Sequence, residues 1–160
     1  MTIIGCTGHQ TLSRFTQDTV RSALYAVFAR HDSAGIIGLS NLAAGADQLF
    51  ARSILSVGGR LRVIIPCADY ETTFVRAKDH SEYEYLLKAA GSQVQLDYER
   101  PSEEAFMAGG KAVVDGCDIL LAVWDGKPAA GLGGTADVVA YAKESGKPIE
   151  VIWPEGASRG

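Results

Sequence analysis

The stretch DILLAVWDGKPAAGLGGTADVV, residues 118–139, decides the fold class. It opens on Asp118–Trp124, an apolar, β-rich run that suits a strand covered on both faces. Two small-residue turns follow, Trp124–Lys127 and Gly131–Asp137. The stretch ends on Val138 and Val139, which with Ala142 begin an apolar helical stripe. Strand, glycine turn, helix is the repeating unit of a parallel α/β sheet.

The same unit recurs outward from there. Thr2–Cys6, Gly35–Ser40, Leu61–Pro66, Gln93–Asp97 and Ile149–Trp153 are further short β-rich runs. Between them, Val20, Ala23, Leu24, Val27 and Phe28 share one helical face, as do Ala46, Leu49, Phe50, Ile54 and Val57. Tyr83, Leu86, Leu87 and Ala90 repeat the pattern. Ser102, followed by Glu103 and Glu104, reads as an N-cap with first-turn acids for a helix before Asp115. Gly58–Gly59, Gly91 and Gly146 fall where helices should stop. The least regular piece, Pro66–Ser81, reads as a loop or short helix near the strand ends, and Pro154–Gly160 as a frayed tail. The expected architecture is an open parallel sheet of five to six strands with helices on both faces, residues 1–153 forming one domain.

Composition narrows the function. The chain has 160 residues, enough for one domain, and a net charge of −4 with no block of like charges. No basic footprint is visible, so nucleic acid is not favoured as a partner. No secretory segment or membrane-length apolar run occurs, which predicts a cytoplasmic protein with no membrane partner. Cys6, Cys67 and Cys117 are odd in number and far apart, which supports neither a disulfide framework nor a metal site. Neither GxGxxG after the first strand nor GxxxxGK[ST] is present, and no cofactor is expected.

Ligands of open α/β sheets bind beyond the carboxyl ends of the strands. Three turns converge there: Gly5-Cys6-Thr7-Gly8-His9, then Ser40–Asp47 (SNLAAGAD), then Asp125 with Gly131–Asp137. Glycine lets backbone approach a ligand, and a helix starting at such a turn presents unpaired N–H groups and a positive dipole end to a phosphate. Each charge-assisted N–H bond contributes about 1.5–3 kcal/mol, while micromolar affinity needs about 8 kcal/mol. Two such turns with base and ribose contacts suffice. The expected ligand-binding residues are Gly5, Thr7, Gly8, His9, Gly45, Ala46, Asp47, Asp125, Gly131, Gly133, Gly134, Thr135 and Asp137. Asp47 lies just inside its helix, where an acid can face ligand hydroxyls. His9 suits either the ligand or a solvated loop, and Trp124 either core packing or base stacking.

These turns resemble those of the SLOG superfamily, which includes the "Lonely guy" phosphoribohydrolases, the DNA-processing protein DprA and bacterial nucleotide-sensing domains. The resemblance covers nearly the whole chain and is nearest to small bacterial sensor-like members. It implies a Rossmann-like sheet with phosphate or ribose held at Gly131–Thr135, and a homodimer, since many relatives are dimers. Against the hydrolase signature P-G-G-x-G-T-x-x-E, Gly133, Gly134 and Thr135 match loosely. The preceding Pro is absent, and the signature Glu falls at Val138, with Asp137 one position early. One residue turns a helical side chain by about 100°, so Asp137 does not inherit that vector. Gly-His-Arg is usual at the first turn, whereas Gln10 follows His9 here, leaving a phosphate-binding cation missing, with Arg14 nearby.

The reading is therefore a sensor or carrier that binds a nucleotide or a nucleotide-derived phosphorylated molecule. The alternative is a nucleoside 5′-monophosphate phosphoribohydrolase, with Asp47 or Asp137 as its catalytic carboxylate. A DprA-like DNA-processing accessory is disfavoured by size and acidic charge.

Overall fold

The structure is a computed structural model describing residues 1–31, 35–128 and 132–160. Six strands, β1 (Thr2–Gly8), β2 (Ile36–Ser40), β3 (Arg60–Ile65), β4 (Ser92–Gln95), β5 (Ile119–Val123) and β6 (Ile149–Val151), form one sheet in the order β4-β3-β2-β1-β5-β6. Every pairing is parallel. Apolar runs without alternation signal this arrangement. All of β2 is buried, and β1 is covered at Gly5 and on either side of it.

Helices α1 (Arg14–Phe28), α2 (Ala46–Ser56) and α3 (Ala77–Ala89) cover one face, and α4 (Glu103–Gly116) and α5 (Thr135–Glu144) the other. The caps are local chemistry. Ser13 accepts the Thr16 N–H at 3.1 Å to start α1, and Ser102 accepts the Ala105 N–H at 3.0 Å ahead of Glu103 and Glu104, as the sequence predicts for α4. Val20, Leu24 and Phe28 of α1 and Phe50 and Ile54 of α2 are buried with Ile4, Cys6 and Val123 of the sheet. Val113 and Val114 of α4 and Val138 and Ala142 of α5 close the opposite face over Leu39, Ile64 and Leu120. The α4 face lies close to β1, because a Cβ at Gly5 would sit 2.9 Å from Val113 Cγ1.

The irregular piece after β3 resolves into a 3-10 turn, Tyr70–Thr73, running into α3 at Ala77. The segment 154–160 departs from the expected fraying. Ser158 donates its N–H to Thr16 Oγ1 at 2.7 Å and accepts the Ser13 N–H at 3.1 Å. It therefore caps the start of α1 from outside.

The chain steps outward from β1 through β2 and β3 to β4, then crosses back over the sheet with α4 to β5, beside β1. The order thus reverses between β1 and β5. At such a point consecutive loops diverge to opposite faces and leave a crevice at the carboxyl ends of the strands.

Candidate functional site

A cleft of about 780 Å³ occupies that crevice. Its floor is the end of β1, Thr7 and Gly8, with His9 beyond them; its walls come from the loop after β2, the 3-10 segment, the start of α4 and the start of α5.

Backbone strain shapes the wall after β2. Leu42 has φ 57°, the only positive φ among the described non-glycine residues, and is fully buried. Such a conformation costs on the order of 1–3 kcal/mol and persists only where its surroundings hold it. Here Ser40 Oγ accepts the Leu42 N–H at 3.0 Å. Asn41 is fixed as well: its Nδ2 donates to Ile64 O at 2.9 Å and Gly109 O at 3.3 Å, tying β2, β3 and α4 together at the cleft wall.

Asp47 is the electrostatic centre of the cleft. It is 6% exposed, yet it lines the cavity. One carboxylate oxygen accepts the Ala43 N–H at 3.3 Å, while Oδ1 is buried without a hydrogen-bond partner. Burial pushes its pKa up to about 7, against the smaller opposing effect of the Ala43 N–H. A buried acceptor without a partner costs roughly 1–3 kcal/mol, and more when charged, so a donor brought to Oδ1 by a ligand recovers that energy.

The start of α5 forms the opposite wall. Gly133 has φ 89° and lies against the α4 backbone, where a Cβ would meet Glu103 O and Met107 N at 3.1 Å. Gly134 is the N-cap residue at φ −72°, ψ 170°. Among the described residues, no acceptor takes the N–H groups of Thr135 or Ala136, and both residues line the cleft. The helix thus points its positive end into the cavity. Asp137 does not face the cleft: its Oδ2 accepts the Gly133 N–H at 3.2 Å and braces the turn. Val138, at the position of the hydrolase glutamate, is buried on α4, where a Cβ at Gly110 would lie 2.5 Å from Val138 Cγ2.

A third group joins the β1 and β5 turns. His9 Nε2 accepts the Asp125 N–H at 3.0 Å, and the ring meets Trp153 edge-on at 5.4 Å. Burial and then Arg159 lower the His9 pKa, outweighing Asp125, whose Oδ1 lies 3.2 Å from the same Nε2, so the ring is neutral at pH 7. Asp125 in turn accepts the Lys127 N–H at 2.9 Å and pairs with Arg159 Nε at 2.9 Å.

Of the sequence-predicted residues, Thr7, Gly8, His9, Asp47, Gly133, Gly134 and Thr135 meet in the cleft. Gly5, Gly45, Ala46, Asp125 and Asp137 do not line it. Gly5 packs under α4, and Gly45 and Ala46 abut the His9–Gln10 backbone. Gly131 lies outside the described residues. The cleft also uses Asn41, from within the SNLAAGAD turn, and Phe74, Arg76, Phe106 and Arg159, which no motif singled out. Phe74 and Phe106 both stand edge-on to the buried Tyr70. The sequence signal for Phe74 and Arg76 was the irregularity of Pro66–Ser81 near the strand ends.

No family model and no curated protein matches the chain. Solved structures do. DNA processing protein A from Helicobacter pylori, studied for its single-stranded DNA binding mode, superposes over 98% of this chain with TM-score 0.68 at 16% identity. DprA from Streptococcus pneumoniae gives TM-score 0.72 at 15% identity, again over 98%. The chain shares the Rossmann-like α/β fold of these DNA processing proteins. This chain spans 68% and 52% of those two DprA chains. A molybdenum cofactor binding protein from the phototrophic bacterium Rippkaea orientalis shares the fold with TM-score 0.60 at 19% identity, over 94% of this chain and 75% of its own.

The DprA likeness corrects one expectation. Nucleic acid was set aside because of the net charge of −4, but the Helicobacter pylori protein, whose structure this chain matches over 68% of its length, binds single-stranded DNA. Binding a single strand needs a groove with local cations and aromatic platforms, and the charge summed over the chain does not report on either. Among the described residues, no helix is long and apolar enough to cross a membrane, and no three His, Cys, Asp or Glu side chains are placed to hold a metal ion.

Proposed function

We propose that the cleft binds a nucleotide or a nucleotide-derived phosphorylated small molecule, as a sensor or carrier. One observation carries the reading: a single cavity holds an open helix N-terminus and a buried carboxylate oxygen that lacks a donor. An anion suits the first, and hydroxyl or amino donors suit the second. A phosphorylated sugar or nucleoside carries both. Phe74, Phe106 and Trp124 on the cleft wall add apolar surface for a flat ring. Fold relatives that bind a molybdenum cofactor and single-stranded DNA are consistent with a cleft that takes ring-bearing ligands. The same reading has residues 1–153 acting as one domain, as a homodimer in a bacterial cytoplasm.

Asp47 also favours a second reading, a phosphoribohydrolase that cleaves the N-glycosidic bond. A carboxyl group that titrates near 7 is matched to proton transfer at neutral pH. Two features weigh against it: Val138 replaces the signature glutamate, and Asp137 is engaged with Gly133.

A thermal-shift panel of nucleoside mono- and diphosphates, ADP-ribose, adenosine, ribose and a short single-stranded oligonucleotide tests the proposal. Phosphorylated nucleosides should raise the melting temperature, because they bind only the folded state, and adenosine and ribose should do much less. A panel that shifts nothing at millimolar concentration refutes it. Free base released from a nucleoside monophosphate at enzyme-like turnover, and abolished in Asp47→Asn, puts the hydrolase first.

A further inference from the structure

The cleft walls present a helix N-terminus to an anion, but the β1 turn brings no cation of its own. His9 is neutral there, and Gln10 follows it. The segment after β6 reaches the same place. Ser158 exchanges hydrogen bonds with Ser13 and Thr16 at the start of α1, which fixes the backbone one residue before Arg159. The Arg159 Nε then meets Asp125 Oδ2 at 2.9 Å, and Asp125 is itself 11% exposed and held by the Lys127 N–H. Arg159 lines the cavity and is half exposed. Among the described residues, the pairing that holds Arg159 runs through Nε to Asp125.

We propose that Arg159 is the phosphate-binding cation of the cleft, carried in by the segment after β6 and oriented by Asp125. The inference rests on the phosphorylated-ligand reading above and names a residue for it. A guanidinium whose Nε is fixed on a carboxylate keeps two Nη groups in a planar fork, the arrangement that grips a phosphate through paired hydrogen bonds. The other arginine on the cleft wall, Arg76, is paired through its own Nε with Asp79 at 3.0 Å but is 71% exposed against 50% for Arg159, so screening weakens its hold on an anion more. Asp125 acts as a positioning residue, through Arg159 and not on the ligand.

The test is calorimetric titration of the full chain with inorganic pyrophosphate, and separately with nucleoside 5′-monophosphates. Wild type is compared with Arg159→Gln, Arg159→Lys, Asp125→Asn and, as a control for net charge, Arg30→Gln, whose partner Glu150 lies away from the cleft. Pyrophosphate affinity should fall at least tenfold in Arg159→Gln, recover in part in Arg159→Lys, fall by a smaller factor in Asp125→Asn, and stay within twofold in Arg30→Gln. A residue that only pins the tail would lower the melting temperature without changing the ratio of nucleotide to nucleoside affinity; that ratio should shrink in Arg159→Gln. Equal pyrophosphate affinity in wild type and Arg159→Gln, or no pyrophosphate binding to wild type, overturns the proposal. Nucleoside monophosphates that bind both proteins alike would remove Arg159 and leave the nucleotide reading standing. Pyrophosphate binding that needs Arg159, with nucleotides no tighter than pyrophosphate, would do the reverse.

Discussion

Two glycine turns at the carboxyl edge of the sheet look alike in sequence and do opposite things. Where the β1 turn meets the start of α2, the glycines close against each other's surroundings. A Cβ on Gly8 would lie 2.5 Å from Ala46 Cβ, one on Gly45 would lie 2.4 Å from Gln10 O, and the Ala46 N–H already donates to His9 O at 3.0 Å. At the start of α5, Gly133 lies against α4, and among the described residues no acceptor takes the Thr135 and Ala136 N–H groups beside the cleft. A glycine after a strand therefore signals close backbone approach, and the approaching partner can be protein as well as ligand. In the first turn the anion-binding capacity of a helix N-terminus is used internally. In the second it is available.

The largest effect that would break this contrast is at Gly45. Its φ of 81° disfavours any side chain, and a Cβ there meets main-chain atoms, which cannot move aside. Gly45→Ala should destabilise the fold by about 3–6 kcal/mol, strain and overpacking together. Denaturant unfolding measures this, and an undamaged Gly45→Ala protein would mean that the two turns are not fused.

Asp47 sharpens the comparison next, because it sits in the first turn of α2 and lines the cleft. The folded chain retains its proton up to about pH 7, whereas the unfolded chain loses it near the ordinary carboxylate value of 3.8. The group's folded pKa is raised, so in that window the native state binds more protons and stability falls as pH rises. Relative to Asp47→Asn, wild type should lose stability between about pH 4 and pH 7, on the order of 4 kcal/mol in all, and change no further above pH 7. A difference curve that is flat over this range would show that Oδ1 is solvated or partnered. A ligand that brings a donor to Oδ1 should release a proton on binding near pH 7, visible as a dependence of the binding heat on the ionisation enthalpy of the buffer.

The smallest effect is at Thr135. Thr135→Val removes one hydroxyl from the cleft and leaves the backbone N–H groups in place. Ligand affinity should fall by roughly three- to tenfold, the equivalent of one ordinary hydrogen bond. A loss of several decades would mean that the hydroxyl, and not the helix end, holds the ligand.

The fold was legible because β-rich apolar runs and helical stripes alternate at short intervals, and all six strands lie where those runs predict them. The Ser102 cap was legible for the same local reason, since Ser followed by two acids satisfies a helix start by itself. The site was legible only in part. Thr7, His9, Asp47 and Thr135 sit beside strand ends, where topology alone directs them to the cleft. Arg159 was not foreseeable, because its position depends on hydrogen bonds 142 residues apart in sequence, between Ser158 and Thr16. Gly5, Gly45 and Asp137 lie off the cleft, and one reason covers all three: sequence shows that a residue suits close approach or capping, but not what it approaches or caps.

The central claim is that an anion sits on the start of α5, and Gly134→Val tests it most directly. Gly134 has an ordinary negative φ, so its backbone conformation accepts valine, and the loss of a favourable N-cap residue costs on the order of 1 kcal/mol. Calorimetric titration with the nucleotide that stabilises the wild type most, run beside circular dichroism melts, should show a folded variant whose affinity has fallen by about two to four decades, the loss of two charge-assisted N–H contacts. A folded Gly134→Val protein that binds as tightly as wild type would contradict the account and reduce this turn to a bend.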